Sequence, residues 1–366
     1  MPAARRPDVL IVSLGSTEGL RVADRQLRDS LQRAGADVLL VTAKPPGAAR
    51  TMMLTDLAWA RAARNAAIEA LAELGDSPPG AIVYSSTTAA LLWPRRGAIR
   101  FDAPSAGNRP GRHGLWQRPL ERRRLVQAPL LLPWSEGGLG ETPSAVASRA
   151  GKRALVIPVA VEPSGAVAPV RDIAAITYAA NPHKKGLDRV LAAWRRVYEE
   201  LPAGAPRQLV VTGASALQLR AGAVELDSVP GVRLAGALPP QDYRALVRRA
   251  RVFVCAPRRE DYGVAQLEAL VDGCILASTA APGPYPALAL ARALDPRTVD
   301  DDLHSALRSA LLDAPEDYAQ RALQALAPFS RECAERLVAQ QLLPRLFADA
   351  GLRAHATGAC SRPRLR

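Results

Sequence analysis

A repeated alternation constrains this chain more than any other feature. Apolar runs of strand length recur in the first half as "DVLIVSL", "ADVLLVTA", "AIVYSS", "AIRFDA", "PLLLPWS" and "ALVIPVAV". In the second half they are "IAAITYAA", "QLVVTGA", "VRLAGAL", "RVFVCAP" and "CILASTA". Longer stretches of helical periodicity, such as "RVADRQLRDSLQRAG", separate them. Near-continuous apolar strands alternating with helices form parallel sheets covered on both faces, so two such series predict an α/β chain of two doubly wound parallel-sheet domains. Prolines and small residues interrupt the pattern in "VAVEPSGAVAPVRD", residues 159–172, which gives a first domain over 1–162 and a second over 170–330. An amphipathic stretch, "SRECAERLVAQQLLPRLFADAGL", follows as a terminal helix over 331–352. Residues 353–366, "RAHATGACSRPRLR", have little to bury and read as a disordered basic tail.

With 366 residues, 48% of them hydrophobic, the chain has material for two cores. No apolar run reaches the length of a membrane span, and the N-terminal segment turns polar without a cleavage pattern, so the expectation is a cytoplasmic protein. Cys255, Cys274, Cys333 and Cys360 lack metal-like or CxxC spacing, which predicts free thiols. Net charge is +13, yet lysine occurs only at Lys44, Lys152, Lys184 and Lys185, so part of the arginine and alanine excess reflects codon usage. Nine arginines crowd residues 94–124. They read either as a solvated face or as a surface for anionic lipid headgroups or an acidic acceptor, the latter bringing the protein to the inner membrane face. Nucleic acid is not expected as a partner, since aromatic residues are 4% of the chain and no recognition module is present.

Three junctions between strand and helix carry chemistry. In "SLGSTEGLRVADRQL", Gly15 and Gly19 flank Ser16, Thr17 and Glu18; this is either a backbone approach to an anionic ligand at a helix N-terminus or a tight turn with a helix cap. In "APRREDYGVAQLEALVDG", residues 256–273, a charged loop leaves the strand "RVFVCAP" and enters a helix. Ligands of such sheets bind outside the carboxyl ends of the strands, where this charge sits. Glu268 falls on the apolar stripe of Val264, Leu267 and Val271 and needs a partner, either vicinal sugar hydroxyls or an arginine. Glu260 stands at the helix entrance and reaches a ligand's polar end or caps the helix, a task Asp261 can also perform. In "NPHKKG", residues 181–186, His183, Lys184 and Lys185 precede a helix with apolar positions Leu187, Val190, Leu191, Trp194 and Val197. Cations are disfavoured at that end, a local conflict that a bound diphosphate removes; a solvated surface pair is the alternative.

These clusters, in this order, resemble the retaining glycosyltransferases of the GT-B fold, group one, also called glycosyltransferase family four. That family's mark is a glutamate, seven intervening residues and a second glutamate, then a small-residue helix and a glycine, and Glu260, Glu268 and Gly273 fit it. "VIPVAVEP", "YAANPHKKGLDRVLAAW" and "PFSRECAERLVAQQL" look like the entry to the second domain, its first strand and helix, and the terminal helix. The resemblance implies two Rossmann-like domains facing a cleft, with the C-terminal helix packing back on the first. It implies that Glu268 holds the donor ribose, Glu260 the donor sugar and Lys185 the leaving diphosphate, with the amides of Tyr262, Gly263 and Val264 near sugar and phosphate. Gly213 would lie near the nucleotide, and Gly15 would face the diphosphate across the cleft.

Two departures stand out. Ala180 occupies the place of the family's phosphate-side arginine, which leaves Lys184, Arg258 or Arg259 as substitutes and Asn181 as a neighbouring donor contact. Where many members have a first-domain histidine, the strand end gives Asp102, expected to orient or deprotonate the acceptor hydroxyl or else to cap a turn; His113 is its rival. With no DxD-like motif in place, the expected reaction is metal-independent transfer from a nucleotide-diphosphate sugar with retention, and no cofactor. A sugar-nucleotide epimerase of the same fold and a non-catalytic sugar-nucleotide or anionic-surface binding protein are the alternatives.

Overall fold

The computed structural model describes residues 6–47, 50–109, 111–166, 170–221, 225–226 and 228–348. The tail over 353–366, the last four residues of the expected terminal helix and Cys360 lie outside them.

Ten of the eleven apolar runs form strands. The first sheet holds β1 (Val9–Ser13), β2 (Val38–Thr42), β3 (Ala81–Tyr84), β4 (Ala98–Phe101) and β5 (Leu131–Pro133), in the order β2-β1-β3-β4-β5. The second holds β6 (Ile173–Tyr178), β7 (Leu209–Thr212), β8 (Val232–Gly236), β9 (Ala250–Cys255) and β10 (Ile275–Ser278), in the order β10-β9-β6-β7-β8. All pairings are parallel. The eleventh run, "ALVIPVAV", is not a strand. It follows β5 through a single bridge at Ala154 and bonds from Leu155 and Ile157, and the pairing ends where Val159 N donates to the Tyr262 hydroxyl at 3.0 Å instead.

Each sheet is covered on both faces, which is why β1 and most of β6 and β9 are buried throughout. On one face of the first sheet the helix Met52–Glu73 presents Ala60, Ala63, Ala67 and Ala70, and these small side chains let it approach the strands closely. On the other face Leu27 and Leu31 of the helix Glu18–Arg33 join Val338, Leu342 and Leu346 from the end of the chain. The terminal segment therefore packs back on the first domain, each of those three side chains contributing about 1.5–3 kcal/mol of burial. It runs as α-helix over Arg331–Leu337 and Leu343–Ala348 with a π-helical turn at Val338–Leu342, just ahead of Pro344, whose ring is incompatible with a regular turn there. One apolar cluster spans both domains, joining Ala23 and Trp134 of the first through Val159 and Val161 of the linker to Tyr262 and Leu267 of the second. Among the described residues no helix is long and apolar enough to cross a membrane.

The second sheet reverses direction between β6 and β9, so the loops leaving these neighbouring strands meet at a topological switch point. They are the "NPHKKG" and "PRREDYG" segments.

Candidate functional site

The loop after β6 is a preset turn. Asn181 accepts the Lys184 amide on its side chain at 2.9 Å and the Lys185 amide on its carbonyl at 2.9 Å. Gly186, at φ +66°, caps the helix Leu187–Glu200, and a Cβ there would land on the Ala256 carbonyl, 2.8 Å from its carbon. Only glycine lets the two loops touch so closely. Arg258 braces the contact: its amide donates to Lys184 O at 3.0 Å, and its guanidinium donates to His183 O at 2.5 Å and to both oxygens of Asp188 at 3.1 and 2.9 Å.

This bracing aims Lys185 at Glu260. The Lys185 Nζ donates to Glu260 Oε2 at 2.5 Å, and Gln266 Nε2 donates to the same oxygen at 3.1 Å. Glu260 is 6% exposed, and its amide donates to Pro282 O at 3.0 Å. The cation that conflicts with the helix dipole is thus answered inside the chain. Gly263, at φ +81°, turns the loop into the helix Val264–Val271, where a Cβ would meet the Tyr285 ring at 2.7 Å. The Tyr262 side chain points the other way. Its hydroxyl accepts from Val159 N at 3.0 Å and donates to Val159 O at 3.2 Å, and its ring meets Trp134 edge-on at 5.3 Å, so it straps the linker between the domains.

Glu268 has the arginine partner: Arg244 Nη1 lies 3.3 Å from its Oε1, while Arg244 Nε donates to buried Asp272 at 2.6 Å. Burial pushes the Glu268 carboxyl above its usual range, with the Arg244 charge opposing. Beside it stands Tyr243, whose buried hydroxyl has no partner among the described residues and whose ring lies 5.6 Å from that of Tyr178. Gly213, at φ +81°, comes against the same Tyr178 ring, where a Cβ would meet it at 2.8 Å. Glu268 and Gly213 are therefore linked by two tyrosines that the sequence did not single out, though aromatics are scarce enough that one immediately before "AANPHKKG" is a signal.

Across the cleft, Asp102 at the end of β4 lines a cavity of about 280 Å³ together with Leu14, Ser16, Lys184 and Asp261. Its carboxyl is pushed up to about 6, first by burial and then by the Asp261 charge, while the Ala103 amide donating at 2.8 Å pulls the other way. Asp261 is an interdomain clamp rather than a helix cap, accepting from Asn108 Nδ2 at 2.9 Å and Arg259 Nε at 2.8 Å, with Lys184 Nζ at 3.6 Å. Gly15, at φ +61°, closes a turn against Thr42, and Thr17 caps the helix Glu18–Arg33, so the capped-turn arrangement is present while Leu14 and Ser16 reach the cavity. The structure thus pairs Lys185 with Glu260 and brings Asp102 and Lys184 to one cavity. It sets Glu268 and Gly213 apart, nearer β7 and the helix Pro240–Arg249.

Other expectations require correction. Arg258 lies on Asp188, and Arg259 on Glu141 and Asp261. His113 is exposed on a short turn, Gly111–Gly114, outside the cavity. The nine arginines do not form one surface. Arg100 is fully buried, 3.8 Å from Asp24 and 5.2 Å over the Trp134 ring; Arg109 is bound to Asp56, Arg118 to backbone carbonyls, and Arg124 lies over Trp93. Arg95, Arg96, Arg112, Arg122 and Arg123 are exposed. Cys255, Cys274 and Cys333 are free thiols, and burial pushes the first two above their usual range.

Residues 165–324 match the family described as glycosyl transferases group 1. The second domain is thus similar to the group 1 glycosyltransferases. The chain's two sheets have the GT-B arrangement, and solved structures of that fold superpose over nearly the whole chain. WaaG, a glycosyltransferase involved in lipopolysaccharide biosynthesis, shares 15% identity with a TM-score of 0.63, over 90% of this chain and 99% of that one. Sucrose-phosphate synthase from Thermosynechococcus elongatus shares 18% with a TM-score of 0.62, over 94% and 100%. A trehalose-6-phosphate protein from E. coli, bound with UDP-2-fluoro glucose, shares 12% with a TM-score of 0.60, over 92% and 98%. No curated protein matches the chain.

Proposed function

We propose that the chain is a group 1 glycosyltransferase that moves a glycosyl group from a nucleotide-diphosphate sugar to an acceptor hydroxyl, with retention and without a metal. The observation that carries this reading is the Lys185–Glu260 pair, held at 2.5 Å where the loops after β6 and β9 meet. A donor bound there exchanges the pair for itself. Its diphosphate takes Lys185 and the amides of Tyr262, Gly263 and Val264, and its sugar hydroxyls take Glu260. Lys184 and Asn181 flank the phosphate, Glu268 turns from Arg244 to the ribose, Gly213 lies beside the nucleotide and Gly15 faces the diphosphate from the first domain. As the bond from the anomeric carbon to the phosphate oxygen breaks, negative charge grows on the diphosphate, where fixed cations and amides in a closed cleft stabilise it most. The acceptor oxygen bonds the anomeric carbon from the same face, and Asp102 receives or orients its proton.

A thermal unfolding scan without metal tests this, using UDP, GDP, ADP and TDP and their sugar conjugates on the wild type and Lys185→Ala. A ligand at about 100 times its dissociation constant adds roughly 2.7 kcal/mol, a shift of a few degrees. One nucleotide series should stabilise the wild type and not the variant; equal shifts in both proteins overturn the role of Lys185. Glu260→Gln should fold and bind nucleotide yet not transfer.

Peripheral attachment to an anionic membrane is a second reading, favoured by one observation. Met52, Met53 and Leu54 are 50%, 36% and 46% exposed at the start of a helix whose Thr55 and Trp59 line the cavity. That helix touches the turn Gly111–Gly114, beyond which Leu115 is 65% exposed and Arg112 faces solvent. Apolar side chains at a lip with arginines nearby suit a headgroup boundary. Sedimentation with vesicles containing phosphatidylglycerol should fall with salt and with Met53→Asp; binding indifferent to both refutes it.

A further inference from the structure

The cavity between the domains holds more carboxylate than usable cation. Asp56, Asp102 and Asp261 line it with Arg109 and Lys184. Arg109 is spent within the protein: Nε and Nη2 donate to the two oxygens of Asp56 at 2.6 and 2.9 Å, and Nη1 donates to Asn108 O at 3.1 Å. Asp56 is 5% exposed, so this two-point pair sits in the wall rather than in solvent. Lys184 leans on Asp261 at 3.6 Å. Among the described residues Asp102 forms no ion pair; the Ala103 amide donates to it at 2.8 Å, and the Lys184 charge acts on it from further off. Asp261 also takes Arg259, itself shared with Glu141, so Asp56, Asp102, Asp261 and Glu141 stand against Arg109, Lys184 and Arg259, and an incoming phosphate or carboxylate meets an excess of like charge.

The rest of the wall suits a neutral ring. Gln117 is 1% exposed and its Oε1 has no hydrogen-bond partner among the described residues, an acceptor that a hydroxyl can satisfy and an anion cannot. Thr88 adds a hydroxyl that donates or accepts, Thr55 one that accepts because its hydrogen goes to Thr51 O at 3.0 Å, and half-buried Trp59 offers an apolar face for the C–H side of a sugar.

We propose that this cavity takes the uncharged ring of a sugar or similar polyol as acceptor and discriminates against acceptors bearing phosphate or carboxylate, with Asp56 setting the preference by neutralising Arg109. This rests on the transfer reading above. The reaction is then the displacement described there, with a neutral acceptor hydroxyl losing its proton as the nucleotide diphosphate leaves.

Nucleotide release tests it, with UDP-glucose, GDP-mannose, ADP-glucose and TDP-glucose each paired with the methyl glycosides of glucose, mannose and galactose and with glucose 6-phosphate and mannose 6-phosphate. The wild type should favour neutral acceptors in kcat/KM by about tenfold or more, the effect of one unbalanced charge across a partly wet cavity. Asp56→Asn frees the arginine charge and should lower that ratio by about tenfold, whereas Arg109→Met leaves the aspartate and should raise it. Both variants break the same ion pair, so a merely structural effect would move the two ratios together. Preference for phosphorylated acceptors in the wild type, turnover of neither class, or parallel shifts in the two variants overturns the proposal. Stabilisation by nucleotide in the thermal scan is independent of the acceptor, so its survival separates failure here from failure of the transfer reading.

Discussion

Gly283 lies outside the family's recognised marks, yet its replacement tests the site most directly. It sits in the loop after β10 at φ +115°, where an added Cβ would fall on the Glu260 carbonyl oxygen, far inside the 3.0 Å that real Cβ atoms keep, and 3.0 Å from the carbonyl carbon. The atom in the way is backbone, and the Glu260 amide is tied to Pro282 O at 3.0 Å, so no side chain can swing aside. Gly283→Ala must therefore part the two loops by about 1 Å, carrying Glu260 from Lys185. A displacement of that size at a reacting centre costs about 10²-fold, or about 2.7 kcal/mol of transition-state stabilisation. The strained backbone adds about 1–3 kcal/mol of instability. Gly204→Ala is the control: its φ of +85° carries a similar strain, but its Cβ opens onto free space. Initial-rate kinetics with the donor found by the thermal scan, alongside unfolding temperatures, should show both variants less stable and only Gly283→Ala losing kcat/KM. A Gly283→Ala enzyme within about threefold of wild-type kcat/KM would refute the reasoning.

Asp102, raised from an ordinary 3.8 to about 6 and facing Asp261 and Lys184, contributes stability that is fully present below pH 3.8 and lost as pH rises through about 6. The stability of the wild type, followed by thermal unfolding, should fall relative to Asp102→Asn between about pH 4 and 7, by at most about 3 kcal/mol before solvent screening; a constant difference refutes it. Tyr262→Phe removes the hydroxyl that satisfies both Val159 N–H and Val159 O. It should cost about 1–3 kcal/mol, read as a lowered unfolding temperature, while the donor KM stays unchanged because the ring faces the linker. An unaltered unfolding temperature, or a raised donor KM, counts against the strap.

Periodicity carried the fold because a parallel sheet covered on both faces writes itself into the chain as apolar runs, and the one run that failed, "ALVIPVAV", leaves the ladder where Val159 N donates to the Tyr262 hydroxyl. Lys185 and Glu260 were legible for a related reason: charge abutting a buried strand end is costly unless something uses it. What the sequence concealed is pairing between distant segments. Nothing local tells that Arg109 closes on Asp56, that Asp261 reaches Asn108, or that Arg259 lies across Gly107, where any Cβ would strike its guanidinium. Arginines that look alike in composition separate into buried, wall and solvent roles only when the domains close on each other, so a charge cluster read along the chain overstates the surface it makes.

The same pairing bears on donor choice. In the free enzyme Lys185 holds Glu260, and Arg244 spans Glu268 and Asp272, so the cation and the acids assigned to the donor are already satisfied. A nucleotide diphosphate that draws Lys185 away leaves Glu260, 6% exposed, with Gln266 alone among the described residues as its side-chain partner, and stranding a buried carboxylate is unfavourable. A nucleotide sugar supplies phosphate to the lysine and hydroxyl donors to the glutamate together. Discrimination between substrate and nucleotide product then follows from the pair itself: the conjugates in the thermal scan should stabilise the protein more than the matching free diphosphates, and Glu260→Gln should narrow that gap by removing the charge left stranded.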